Sequence, residues 1–214
     1  MHLSYDFEHI AFVGGPCSGK TSVFEALRAL PVREESDACL SFVGEAATQI
    51  LPRDPTLSRR DPLFFQFEVS LWQYMEEDRG FERLLSCCNK PLKVQITDRG
   101  VADAYIYLNE QQVALMTDMT PEELMHRYTV VFYFEPFRSE SLTDGNEFRV
   151  EREDEMAELE AKTRAVWQRH PNVIFVPTFP TIEERIAYVA RLLHEKVGVE
   201  LFDQTGLQTD AVVV

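Results

Sequence analysis

The stretch FVGGPCSGKTS, from Phe12 to Ser22, contains the spacing Gly-x-x-x-x-Gly-Lys-Thr, and this spacing decides the fold. A loop with few Cβ atoms lets successive backbone N–H groups point inward and bind phosphate oxygens. The helix that follows such a loop adds its positive N-terminal end to the same site. We therefore predict that the loop binds the phosphates of a nucleoside triphosphate through Gly14, Gly15, Pro16, Cys17, Ser18, Gly19, Lys20, Thr21 and Ser22.

Two side chains of this loop carry distinct chemistry. Lys20 supplies a mobile positive charge for the β- and γ-phosphates, and the Thr21 hydroxyl completes the ligand shell of a Mg²⁺ ion. The sequence around the loop supports this interpretation, because the apolar run His9–Val13 predicts a strand and residues 20–30 have a helical pattern. Strand, glycine-rich loop and helix in this order are the context that the motif requires.

Composition limits the possible partners. The chain has 214 residues, of which 45% are hydrophobic, enough for one sizeable core. Its formal net charge of −15 argues against a surface for nucleic acid or anionic membranes, since both would repel it. We expect neither a signal peptide nor a membrane span.

The four cysteines, at positions 17, 39, 87 and 88, show no Cys-x-x-Cys spacing. Neither a zinc site nor a disulfide framework is therefore predicted. We expect a cytoplasmic protein with reduced thiols.

Apolar β-type runs alternate with helical patterns along the chain, which is typical of a parallel α/β sheet. The predicted strands are His9–Val13, Cys39–Val43, Leu92–Thr97, Val130–Phe134 and Asn172–Val176. The expected fold class is α/β, a three-layer α/β/α P-loop NTPase fold with a five-stranded, mostly parallel sheet. One domain should cover residues 1–197, and residues 198–214 should form a partly disordered tail.

Three helical segments carry specific expectations. A long helix is predicted from Pro62 to about Cys88, with Gly80 kinking or dividing it. A further helix is expected over residues 101–111. Thr120 is the predicted N-cap of a short helix, with Glu123 closing a capping box.

Carboxylates follow two of the predicted strands. Ligands of open parallel sheets bind outside the carboxyl ends of the strands, so these side chains should lie at the site. Asp98 has the place of a Mg²⁺-binding acid, and Glu45 could accept the proton of an attacking hydroxyl. Asp98 could be the base instead, or merely a helix N-cap, and Glu45 could be a solvated residue of a first helical turn.

Arginines supply the remaining candidates. Arg138, Arg149 and Arg152 would suit a lid that closes over the γ-phosphate, and Arg149 and Arg152 are predicted to be catalytic together with Lys20, Glu45 and Asp98. The alternative is a solvated charged loop. Arg59, Arg60 and Arg99 are the predicted contacts to an acceptor substrate.

Two other classes of P-loop protein lack support. A hydrolytic motor usually has Glu after its Mg²⁺-binding Asp, whereas Arg99 follows Asp98 here. A signalling GTPase carries Asn-Lys-x-Asp after a strand, and the nearest match, Asn89–Leu92, lacks the Asp and precedes a strand.

Motifs after the phosphate loop carry a resemblance to a known family. FVGGPCSGKTS, VGEAATQIL, TDRGVADAY, VFYFEP, DGNEFR and VIFVP occur in this order. Together they resemble the compact AAA-type, ATPase-like P-loop family that includes ribosylnicotinamide kinase domains and is related more distantly to nucleoside and nucleotide kinases. The resemblance spans roughly residues 9–195.

The resemblance implies that Lys20 and Thr21 bind phosphate and Mg²⁺, that Glu45 and Asp98 flank the reacting centre, and that a lid arginine joins them. We therefore expect an ATP- and Mg²⁺-dependent phosphotransferase with a small, nucleoside-like hydroxyl acceptor. The family also contains nucleotide-binding regulators, so the alternative is a regulatory ATPase or GTPase with slow hydrolysis and a protein partner.

Overall fold

Five strands form one sheet in the computed structural model, which describes residues 6–136, 153–198 and 200–202. The strands are β1 (Asp6–Val13), β2 (Ala38–Val43), β3 (Leu92–Asp98), β4 (Val130–Phe134) and β5 (Val173–Val176). Their order across the sheet is β2-β3-β1-β4-β5, and every neighbouring pair is parallel. The predicted fold class is confirmed, with a sheet that is wholly rather than mostly parallel.

Helices connect the strands. They are α1 (Lys20–Ala29), α2 (Ala47–Ile50), α3 (Leu57–Arg60), α4 (Pro62–Cys87), a 3₁₀ helix (Val101–Ile106), α5 (Glu110–Thr117), α6 (Pro121–Met125), α7 (Glu153–Trp167) and α8 (Ile182–Val197). Within the described ranges, no helix combines the length and the apolar character needed to cross a membrane.

Alternation along β1 builds a core on each face of the sheet. Phe12 packs in one cluster with α1 and α8, whereas Val13 packs in the other with the 3₁₀ helix and α7. Successive side chains of a strand point to opposite faces, so a central strand buried on both sides has an unbroken apolar sequence. The result is the three-layer arrangement expected from the sequence.

The capping box at α6 is confirmed. The Thr120 hydroxyl accepts from the Glu123 N–H at 3.2 Å, and a Glu123 carboxylate oxygen accepts from the Thr120 N–H at 2.8 Å. These local polar pairs involve residues three apart, which explains why the sequence could predict them.

The expectation that Gly80 could divide the long helix is wrong, because α4 runs without a break through this residue. Gly80 is buried, and a Cβ atom there would collide with the Gln95 side chain on β3 and lie 3.2 Å from Ser41 Oγ on β2. The glycine therefore lets α4 approach the sheet closely.

The single helix expected over residues 101–111 is also wrong. Residues 101–106 form the 3₁₀ helix, and α5 begins separately at Glu110. The side chain of Asn109 accepts from the Gln112 N–H at 3.0 Å, so this residue caps a new helix instead of continuing the old one.

Cys39 on β2 and Cys88, just after α4, form a disulfide. The prediction that these thiols remain unpaired is therefore wrong. The two residues lie 49 positions apart and meet because α4 packs back across β2, a proximity that cysteine spacing does not encode. Cys17 and Cys87 are free thiols.

The first part of the predicted tail packs in the core. Leu201 and Phe202 are buried, and the Arg33 N–H donates to the Leu201 carbonyl at 3.1 Å. Residues 203–214 lie outside the described part of the chain.

Replacing Gly80 with Ala should destabilise the protein by about 1–3 kcal/mol, because the new methyl group must displace Gln95 from its buried hydrogen bonds. Urea unfolding would measure this loss. Gly44→Ala is a matched control, since a Cβ atom at Gly44 meets nothing within 4 Å. Equal stability of the two variants would contradict the close-packing account.

Candidate functional site

The phosphate loop joins β1 to α1 and has the backbone shape that the motif predicts. Cys17 and Gly19 have positive φ angles of 54° and 72°, and Gly19 is the N-cap of α1. The α1 N-terminus has no side-chain cap and no acidic residue in its first turn. Its first N–H groups are therefore not satisfied by a capping side chain, which suits an anion-binding site.

Lys20 and Asp98 meet beside this loop. Lys20 Nζ lies 3.9 Å from Asp98 Oδ1, and both side chains are almost completely buried. Asp98 ends β3 at the position paired with Phe12 of β1, which brings the carboxylate next to the loop that follows β1. Burial raises the pKa of Asp98, and the positive charge of Lys20 opposes that rise.

The surroundings of Asp98 fit a Mg²⁺ ion. Neither carboxylate oxygen accepts a hydrogen bond of full geometry from the described residues, although both are buried. The Thr21 hydroxyl is close enough to lower the pKa of Asp98. A carboxylate and a hydroxyl are the hard oxygen donors that Mg²⁺ takes from proteins when phosphates supply other ligands.

Glu45 is held by Arg99 instead of facing solvent. Arg99 Nε donates to Glu45 Oε1 at 2.5 Å, and Arg99 Nη1 donates to Asp103 Oδ2 at 3.1 Å. Trp167 Nε1 in turn donates to Asp103 Oδ1 at 2.5 Å. This chain of polar contacts fixes the Glu45 carboxylate from three elements of the fold.

A cavity of about 410 Å³ opens beside the phosphate loop. Apolar, amide and charged side chains line it, and among them are Pro16, Glu45, Arg59, Phe65, Gln66, Gln73, Arg99, Asp103, Tyr107 and Glu155. Pockets of a few hundred Å³ with a few polar groups on an apolar wall are typical of small-molecule sites.

Five predicted residues meet at this edge of the sheet: Lys20, Thr21, Glu45, Asp98 and Arg99. Arg59 lines the cavity. Arg60 instead donates to Asp54 at 2.9 Å on the surface and is not among the lining residues. The candidate lid arginines Arg138, Arg149 and Arg152 lie outside the described residues.

Glu160, which contacts the phosphate loop from α7, was not among the predicted site residues. The Gly15 N–H donates to Glu160 Oε2 at 2.8 Å, and the Tyr133 hydroxyl donates to Glu160 Oε1 at 2.7 Å. Glu160 lies 145 positions after Gly15, and no local pattern marks it.

A second group absent from the sequence predictions lies under the segment after Asp98. The Val101 N–H donates to the Tyr128 hydroxyl at 2.7 Å, and that hydroxyl donates to Glu77 at 3.1 Å. Gln73 Nε2 lies 3.2 Å from Glu77 Oε1 and 3.4 Å from the Arg99 carbonyl. The buried Glu77 carboxylate therefore anchors two side chains that hold residues 99–101.

Two buried ionisable groups of this network have shifted pKa values. Burial raises the pKa of Glu77 from 4.5 to about 7, against the opposing charge of Arg127, whose Nη2 lies 3.3 Å away. Burial lowers the pKa of His9 from 6.5 to about 3, and Arg127 lowers it further. With this lowered pKa the imidazole is neutral at neutral pH, although its Nε2 lies 3.9 Å from Glu77.

A family model described as an AAA domain matches residues 9–185. No curated protein matches the sequence. The matched range begins within β1 and includes the phosphate loop, Glu45 and Asp98.

Among solved structures, the fold is similar to the NadR protein in complex with NAD and AMP-PNP. The TM-score is 0.61 at 16% sequence identity, and the match covers 94% of this chain. The chain spans about half of NadR, since the match covers 52% of that protein. At this identity the likeness concerns the fold.

The raised pKa of Glu77 predicts a pH-dependent stability difference between the protein and its Glu77→Gln variant. An acid whose pKa is raised in the folded state stabilises the fold most at pH values below its unfolded-state pKa, which is 4.5 for Glu77. This stabilisation is lost as the pH rises through the folded-state pKa of about 7. Relative to wild type, Glu77→Gln should therefore gain up to about 3 kcal/mol of unfolding free energy between pH 4 and pH 8.

Urea unfolding at several pH values would measure this difference, with Glu82→Gln on the exposed side of α4 as the control. His9 is present in every protein compared, so its opposite contribution to the unfolding free energy cancels at each pH. In Glu77→Gln, Arg127 keeps its pairing with Asp78 at 2.8 Å. A constant difference across this range would contradict the buried, proton-binding carboxylate.

Proposed function

Since this chain belongs to the AAA domain family, we propose that it is an ATP- and Mg²⁺-dependent phosphotransferase that acts on a small, nucleoside-like hydroxyl acceptor. The observation that carries the proposal is the cavity of about 410 Å³ beside the phosphate loop. Hydrolysis needs room for a water molecule alone, whereas this cavity has room for a second substrate.

The phosphate loop would bind the nucleotide. The uncapped N–H groups at the N-terminus of α1 and the Lys20 ammonium suit the β- and γ-phosphates, and the fold is shared with a protein crystallised with AMP-PNP. Thr21 and Asp98 would hold Mg²⁺. When bound, the ion would neutralise charge on the transferred phosphoryl group.

Glu45 is the better candidate for the base, because it lines the cavity and Asp98 does not. The acceptor hydroxyl oxygen would bond to the γ-phosphorus, the bond from that phosphorus to the ADP oxygen would break, and the hydroxyl proton would pass to Glu45. Arg99 keeps the Glu45 carboxylate in place for this transfer. The proposed role of Asp98 is then to bind Mg²⁺.

Arginines would complete the site. We propose that Arg59 and Arg99 contact the acceptor, while the Asp54 pairing of Arg60 gives no support for a similar role. Arg149 and Arg152 remain proposed catalytic groups of a lid that excludes water. A cytoplasmic location is likewise a proposal.

The test is ADP release by purified protein with Mg²⁺ and ATP, measured with a panel of nucleosides and ribosylnicotinamide. We expect one class of acceptor to raise the rate and to gain the mass of one phosphoryl group. Glu45→Gln should lower this acceptor-dependent kcat by about 100-fold with ATP affinity nearly unchanged, because it removes the base and keeps the fold of the loop.

Glu25→Gln, an exposed change on α1, is the matched control. Slow ADP release that no acceptor accelerates would overturn the phosphotransferase and favour the regulatory nucleotide-binding protein with a protein partner. Full kcat in Glu45→Gln would overturn the role of Glu45.

A further inference from the structure

Arg185 in the first turns of α8 is fully buried. Its guanidinium lies 5.0 Å from the centre of the Phe134 ring. Burial lowers the pKa of Arg185 to about 10, with Glu135 opposing the shift, so the group stays charged at neutral pH. Neither the phosphate-loop motif nor the pattern of strand-end carboxylates indicated this residue.

The Arg185 guanidinium donates to backbone carbonyls from three parts of the fold. Nη1 donates to the Ser18 carbonyl of the phosphate loop at 2.5 Å. Nη2 donates to the carbonyl of Glu135, just after β4, at 2.9 Å and to that of Val176, at the end of β5, at 3.1 Å. One planar guanidinium group therefore links the loop to two strand ends by hydrogen bonds.

The contact with Ser18 fixes the direction of a neighbouring N–H group. The carbonyl of one residue and the N–H of the next belong to one planar trans peptide and point in opposite directions. Because the Ser18 carbonyl points at Arg185, the Gly19 N–H points away from Arg185. The positive φ of Gly19 then turns the chain directly into α1.

Packing alone gives little reason for a buried guanidinium here. Removing a charge from water is costly, and neighbouring buried positions of α8 are filled by apolar residues such as Val189 and Leu193. A charged fork suits a position where several carbonyls must be held at fixed angles.

We propose that Arg185 is a positioning residue for nucleotide binding, which holds the Ser18–Gly19 peptide so that the Gly19 N–H faces the bound phosphates. This inference rests on the nucleotide binding proposed above. A residue of α8, far along the chain, would then determine the shape of the loop after β1.

The test compares wild type with Arg185→Met, Arg185→Lys and the exposed control Arg191→Met of the same helix. Dissociation constants for ATP and for inorganic tripolyphosphate would be measured by displacement of a fluorescent ATP analogue from folded protein. Tripolyphosphate reports on the phosphate loop alone, because it carries no base or sugar.

We expect Arg185→Met to weaken both ligands by similar factors of about ten-fold or more, and Arg185→Lys to fall between it and wild type. Arg191→Met should bind as wild type. Unchanged tripolyphosphate affinity in folded Arg185→Met would overturn the inference, even if stability or ATP affinity fell. If Arg185→Met does not fold, unchanged tripolyphosphate affinity in Arg185→Lys would overturn the inference.

Failure of wild type to bind either ligand would overturn the nucleotide-binding function and this inference with it. If wild type binds both ligands and substitution of Arg185 does not weaken tripolyphosphate binding, only the inference about Arg185 is overturned.

Discussion

The buried pair of Lys20 and Asp98 is the constraint on which the candidate site depends. Their charged atoms lie 3.9 Å apart, and both groups are almost fully removed from water. Burying two charges costs free energy that a single ion pair of this length recovers in part. A polyphosphate would add negative charge beside the ammonium, and a divalent cation would add positive charge beside the carboxylate. We therefore expect a charged ligand to bind at this pair.

Neighbouring polar contacts keep that edge of the sheet rigid. The Arg99 guanidinium donates to both Glu45 and Asp103. The Glu77 carboxylate supports the backbone after Asp98 through Gln73 and Tyr128. Low dielectric surroundings strengthen such networks when every member has a partner. Preorganised groups of this kind suit phosphoryl transfer, in which a protein mainly positions reactants and stabilises charge.

The sequence predicted those parts of the site whose signals are local. The glycine spacing defined the phosphate loop, and the rule that ligands bind at the carboxyl ends of parallel strands brought Glu45, Asp98 and Arg99 together correctly. Strand β4 was predicted most directly, because a parallel strand buried on both faces has an uninterrupted apolar sequence. Strand β3 was predicted as well, although the polar residues Lys93, Gln95 and Thr97 interrupt its apolar sequence.

Features that depend on distant contacts escaped prediction for physical reasons. Glu160 and Arg185 reach the phosphate loop from helices far along the chain, and Cys39 meets Cys88 through the packing of α4 on β2. The role of Gly80 was misjudged because glycine both weakens helices and permits close packing, and only the neighbouring strand decides which effect dominates.

We propose that nucleotide and Mg²⁺ bind together at the buried carboxylate of Asp98. Calorimetric titration of ATP into wild type and Asp98→Asn, each with Mg²⁺ and with a chelator, tests it most directly. We expect Mg²⁺ to strengthen ATP binding to wild type by about ten-fold or more, and Asp98→Asn to lose most of this gain while still binding ATP through the loop. An equal gain from Mg²⁺ in both proteins would contradict it.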